Sequence, residues 1–172
     1  MALLPIILHP DPVLRKVAES VTDITPDILQ LLDDMMETML KAPGIGLAAP
    51  QVAVSKRVIV LDVEGRDAVG GQPFKMINPE IIAFSDDKTE LEEGCLSLPE
   101  MACVVSRPKE VTVRYRDITG KEQQLDADGL LAKAIQHEID HLNGKLIFDY
   151  LSSMKRDIVL RRYLKMLRQE GL

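Results

Sequence analysis

Between positions 28 and 40, Ile28, Leu31, Leu32, Met35, Met36, Met39 and Leu40 follow the i, i+3, i+4 rhythm of a helix with one buried face. Thr25 and Pro26 precede it: a capping hydroxyl, then a residue whose missing N–H costs nothing in a first turn. Ala-Pro-Gly at 42–44 stops it. The period then changes. Stretches 57–63 (RVIVLDV), 74–78 (FKMIN), 80–84 (EIIAF), 103–106 (CVVS) and 110–117 (EVTVRYRD) are β-rich and set apart by Gly, Pro and Asp clusters, which predicts strands. Alternation is clear in the last of these, with Val111, Val113 and Tyr115 on one side and Thr112, Arg114 and Arg116 on the other. Asp-Ile-Thr-Gly at 117–120 predicts a hairpin turn into 121–127 (KEQQLDA).

Helical spacing returns over Leu130–Asn143 and ends at Gly144, where a left-handed C-cap is needed. A last helix is predicted after Ser152 or Ser153, running to about Arg168. One helix, many strands and then two helices is an α+β order, without the βαβ alternation of a doubly wound fold.

Composition narrows the class. At 172 residues the chain is read as one unit, 1–172, long enough to bury a real core. Its 46% apolar and 28% charged content suits a globular protein; with 3% aromatics and no Trp, the core must rest on Leu, Ile, Val and Met. A net charge of −6 argues against wrapping nucleic acid wholesale. Cys95 and Cys103 are too few for a disulfide framework, which points to a reducing compartment. The start has no basic region, Pro5 interrupts its apolar run, and no stretch reaches the roughly 18 apolar residues that span a bilayer. The expectation is a cytoplasmic protein.

Candidate chemistry begins at 136–144 (QHEIDHLNG). On a helix His137 and His141 lie one turn apart on one face, so both imidazoles can reach one ion. Glu138, rotated by about 100°, stands beside that ion, placed to take a proton from an activated water. H-E-x-x-H is a metallopeptidase signature; the plainer alternative is two histidines on an amphipathic helix. Two imidazoles leave a catalytic site a ligand short, and no histidine follows His141. His9, in a rigid Leu-His-Pro-Asp-Pro turn, reads as structural. Cys95, in 92–100 (EEGCLSLPE), is better placed, at a strand end or loop after a glycine; Cys103 reads as a small buried apolar residue. Stretch 43–51 (PGIGLAAPQ) is either a small-residue loop packed on backbone or an opening for an extended ligand, with Gln51 as an amide donor.

Taken in order, GIGLAAPQ (44–51), EGCLS (93–97) and HEIDH (137–141) closely resemble the three signature motifs of the peptide deformylase family, main bacterial class, and the similarity covers nearly the whole chain. The resemblance implies mostly antiparallel sheets around a central HExxH helix, with an N-terminal and a C-terminal helix. It implies hydrolysis of the N-formyl group from formyl-methionyl nascent peptides, releasing formate. It gives Cys95, His137 and His141 as ligands of one divalent ion, Fe2+ first, with Zn2+, Ni2+ or Co2+ able to replace it. Glu138 is then base and acid, and the Gln51 amide and the Leu96 backbone N–H hold the formyl oxygen. Substrate backbone would pair with Ile45 and Gly46 on one side and Gly94 on the other. Ile45, Leu91, Glu93, Leu130 and Ala134 match positions bordering the methionine pocket. Lys133 beside them is unexpected, either reaching solvent or covering the pocket with its stem. Ala102 stands where many bacterial members carry an arginine. Asp140 is expected to pair with an arginine such as Arg107.

The last helix is expected to gather Val159, Leu160, Tyr163, Leu164 and Leu167 on one side and Arg161, Arg162, Lys165 and Arg168 on the other. Ordinarily such a stripe is a solvated face; the resemblance implies contact with the ribosome near the nascent-chain exit. A monomer that binds no membrane is expected. Two competing classes are a general metallopeptidase, which would cut internal amides, and a structural metal protein, for which Cys103 is the one spare thiol and Glu138 would have no task.

Overall fold

In the computed structural model, which describes residues 2–63 and 73–171, helix α1 (Pro26–Lys41) starts where Thr25 accepts the N–H of Ile28, as its caps predict. The ends of the expected 1–172 unit and the Gly/Asp-containing spacer at 64–72 lie outside the described residues. Helix α1 buries Ile28, Leu32, Met35 and Met39 against β1 (Gly46–Ala48) and β2 (Val58–Leu61). Five antiparallel strands form one sheet in the order β1-β2-β3-β6-β7, with β3 at Phe74–Phe84, β6 at Glu110–Arg116 and β7 at Glu122–Asp128. Strands β4 (Lys88–Cys95) and β5 (Leu98–Pro108) form a separate two-stranded antiparallel sheet. The α+β class holds.

The structure changes several details. Stretches 74–78 and 80–84 are one strand, β3, with a register shift between Ile77 and Glu80. Asn78 supplies the break in rhythm: it sits at φ 53°, and its side chain ties down both the N–H and the carbonyl of Val21. Strand β5 runs well beyond the expected 103–106, turning Leu98, Met101, Cys103, Val105 and Arg107 inward. Strands β1 and β4, read from sequence as loop or strand end, are additional.

Helix α2 (Gly129–Leu142) lies between the two sheets. Ala132, Ile135, Ile139 and Leu142 pack on Ile59, Leu61, Met76, Val111 and Val113 of the five-stranded sheet. Toward the β4–β5 hairpin it presents polar groups, including Gln136 Nε2, which donates to the Pro108 carbonyl at 3.0 Å. Gly144 follows the helix at φ 74°, and a Cβ there would meet the Arg15 carbonyl oxygen at 2.5 Å, so only glycine fits the close approach.

Helix α3 (Ser153–Glu170), capped by Ser152, packs on β5 and on the 3-10 turn Ile147–Tyr150. Tyr163 is fully buried and donates to the His9 carbonyl, while the His9 ring rests edge-on against Phe148; among the described residues no metal-ligating group forms around it. Leu164 is a correction. It is 47% exposed, because α3 meets the body along a narrow stripe centred on Tyr163 and the next residue is turned 100° away. No helix among the described residues is long and apolar enough to cross a membrane.

Candidate active site

Helix α2 carries His137 and His141 one turn apart, and their Nε2 atoms lie 3.2 Å from each other. Cys95, at the end of β4, brings its Sγ to 3.4 Å from His141 Nε2. All three donor atoms fall within 4.8 Å of one another. One tetrahedral ion with Zn–S and Zn–N bonds of about 2.3 and 2.05 Å would set sulfur–nitrogen and nitrogen–nitrogen separations of roughly 3.6 and 3.3 Å. The donors fit one ion, and a thiolate with two imidazoles suits zinc or a neighbouring transition metal.

Glu138 is buried beside this group and presses on β1. A Cβ at Gly46 would lie 2.5 Å from Glu138 Oε2 and 3.0 Å from Cδ and Cγ, so the glycine makes room for the carboxylate. Glu138 Oε1 is buried without a hydrogen-bond partner among the described residues. Burial pushes the Glu138 carboxyl up to about 7, against the opposing pull of His137 and Arg107. Burial also lowers His141, helped by the His137 charge, to well below the ordinary imidazole value. For His137 burial is overridden by Glu138, Cys95 and Glu93, and its pKa lies well above that value.

Gln51 comes from the 3-10 turn Ala49–Val52 that follows β1. Its Oε1 accepts the Ala48 N–H at 3.0 Å, which leaves Nε2 to donate to Ser97 Oγ at 3.1 Å and to lie 3.7 Å from Cys95 Sγ. The amide therefore presents its NH2 end to the Cys95–His137–His141 group.

A cavity of about 530 Å³ opens in front of these groups. Ile45 and Gly46 border it from the β1 side, and Leu91, Glu93, Gly94 and Leu96 from the β4 hairpin. Leu130 and Ala134 border it from α2, so all the expected pocket residues meet here. Among the described residues, strands β1 and β4 are each paired on one side only, and both border the cavity.

Lys133 takes the second of its two expected courses, and Glu93 departs from expectation. Lys133 does not reach solvent: it is buried, and its Nζ donates to the Thr89 carbonyl at 2.8 Å, while its stem helps line the cavity. Glu93 borders the cavity but turns its carboxylate away, accepting Arg107 Nε and Nη2 at 2.7 and 2.9 Å and meeting His137 Nδ1 at 3.0 Å. Burial alone would raise the Glu93 pKa, yet the bonds from His137 and Arg107 bring it down to about 2. Arg107 also donates to Asp140 Oδ2 at 2.8 Å, the ion pair expected for Asp140. Sequence reasoning missed the Glu93–His137 contact. The signal was available in the hairpin's alternation, which puts Glu93 and Cys95 on the same face of β4.

The chain is similar to known proteins over nearly its whole length. Residues 3–157 match the family model described as polypeptide deformylase. A peptide deformylase of Rhizobium meliloti is 51% identical over 173 residues, covering 99% of this chain and 98% of that protein. One from Bradyrhizobium sp. (strain BTAi1) is 52% identical over 174 residues, covering 99% of both. Among solved structures, a peptide deformylase from Legionella pneumophila superposes with a TM-score of 0.92 at 41% identity, covering 99% of this chain and 98% of that one. One from Ehrlichia chaffeensis in complex with actinonin gives 0.90 at 41% identity, with full coverage of both chains.

Proposed function

The chain belongs to the polypeptide deformylase family, and from that premise we propose how its own residues remove the formyl group from a formyl-methionyl peptide. It is a hydrolase of a metal-dependent family, acting on newly made polypeptides and releasing formate. Cys95 Sγ, His137 Nε2 and His141 Nε2 hold the ion. A divalent ion there supplies Lewis acidity, which eases deprotonation of water and polarises the formyl oxygen. Fe2+ is our first assignment, with Zn2+, Ni2+ or Co2+ as replacements.

Glu138 performs the proton transfers. Its carboxylate takes a proton from the attacking water as oxygen bonds to the formyl carbon. The same proton then passes to the peptide nitrogen as the C–N bond breaks, leaving formate and a free amine. Gln51 Nε2 and the Leu96 N–H donate to the formyl oxygen while it carries negative charge. The peptide lies extended between the free edges of β1 and β4, pairing with Ile45 and Gly46 on one side and Gly94 on the other, with its first side chain against Leu91, Leu130 and Ala134. The lysine stem at 133 completes that wall. The protein acts as a cytoplasmic monomer, and the Arg161, Arg162, Lys165 and Arg168 stripe of α3 gives it a contact with ribosomal RNA.

The observation that carries this reading is the convergence of Cys95, His137 and His141 with Glu138 lodged against Gly46 beside them. Formate release from formyl-Met-Ala-Ser by protein purified without oxygen, with metal analysis, tests it. Glu138→Gln is expected to keep its metal and lose about 10²–10⁴-fold in kcat. Full turnover in that variant would refute the assigned mechanism, and iron-free active protein would refute the assigned ion.

A further inference from the structure

The hydrogen bonds that hold His137 do not stop at Glu93. Glu93 is gripped by two bonds from the Nε/Nη2 edge of the Arg107 guanidinium, and Arg107 Nη1 reaches Asp140 Oδ2. Asp140 stands three residues after His137, so the path returns to the helix it left. His137, Glu93, Arg107 and Asp140 thus form a closed ring that joins α2 to both strands of the hairpin.

One side chain enters that ring from outside. Tyr150 Oη donates to Asp140 Oδ2 at 2.5 Å, and its ring faces the Arg107 guanidinium at 4.9 Å. Tyr150 is itself well anchored. Asp149 next to it accepts the Leu146 N–H at 3.0 Å and pairs with Arg15 at 2.6 Å and Arg156 at 3.3 Å. Two residues after Tyr150, Ser152 caps α3. The tyrosine is 42% exposed, which is unusual company for an arginine that is 3% exposed. The aromatic face packs on the guanidinium, and the hydroxyl adds two bonds of its own: it accepts Arg107 Nη1 at 3.4 Å and fixes which way the shared Asp140 oxygen points.

We propose that Tyr150 is a positioning residue for the metal centre, its hydroxyl fixing Asp140 and thereby Arg107, Glu93 and the His137 ring. The inference rests on the reading of Cys95, His137 and His141 as ligands. Groups that touch a ligand directly are worth about 10–100-fold in metal affinity, and Tyr150 lies several bonds further out, so about three- to tenfold is expected.

The experiment uses Co2+-substituted enzyme, following release of Co2+ to a chelator and the visible absorption of the thiolate-ligated ion. Tyr150→Phe keeps the ring on Arg107 and removes only the hydroxyl. It should speed Co2+ loss about three- to tenfold and shift the absorption band. Ser152→Ala loosens the neighbouring start of α3 without touching the ring of bonds, and should leave both readouts within twofold of wild type. An unchanged band and release rate in Tyr150→Phe would overturn the proposal, as would an equal change in Ser152→Ala. If wild-type protein takes up no Co2+, or Cys95→Ser keeps the same band, the ligand assignment fails instead.

Discussion

Replacing Gly46 by Ala adds one methyl group at the point where β1 meets Glu138. The backbone there needs no left-handed conformation, so the effect is steric. The new Cβ would stand 2.5 Å from Glu138 Oε2, whereas ordinary contact begins near 3.4 Å, so the carboxylate must retreat by about 0.9 Å. Strand β1 resists moving instead: Gly46 pairs with Leu61, and the Ile45 carbonyl accepts the Asp62 N–H at 2.9 Å. A displacement near 1 Å in a reacting group costs about 10²-fold. Overpacking of a buried site costs about 1–3 kcal/mol of stability. The three nearest atoms to the new methyl all belong to Glu138. Gly46→Ala should therefore lower kcat for formyl-Met-Ala-Ser about 100-fold, keep its metal, and unfold a few degrees earlier. Formate release, metal content and thermal denaturation measure these separately. A metal-loaded variant with kcat within threefold of wild type would show that the Glu138 position against β1 does not matter for proton transfer.

Acid stability should report Glu93. Its folded pKa of about 2 lies below the ordinary 4.5, so its contribution is fully present above pH 4.5 and disappears as pH falls through about 2. Chelated protein unfolded in urea across this range should lose stability most steeply there, and a Glu93→Gln variant with an equally steep slope would count against the assignment. The basic stripe of α3 should govern ribosome association: charge reversal at Arg161, Arg162 and Lys165 is expected to abolish co-sedimentation at low salt, and unchanged pelleting would eliminate that surface.

What the sequence made legible follows from how local each signal is. The Thr25 cap, the Gly144 stop and the alternation of β6 depend on neighbours a few residues away, and the structure keeps them. Strand β1 has three residues, all buried, so it shows no alternation to read. Strand β4, KTELEEGC, is acidic and mostly faces solvent, and its strand character comes from pairing with β5. Motif spacing alone brought Cys95, Gln51 and Glu138 to notice separately, and only the family resemblance joined them in one expected site. Their convergence, and the run of bonds through Glu93, Arg107 and Tyr150, depends on contacts between residues up to dozens of positions apart, which no local pattern encodes. Leu164 went astray for a related reason: how wide a helix's contact stripe is depends on what packs against it.

The donors on β4 and on α2 belong to different layers of the molecule, with Cys95 and His137 lying 42 positions apart. An ion bound there would act as a clasp as well as a reagent, closing that length of chain and joining the hairpin to the helix. Folding and metal supply then become one equilibrium, with stability rising as RT ln(1 + [M]/Kd). Scarcity of the ion would thus thin the population of intact molecules as well as slow each of them.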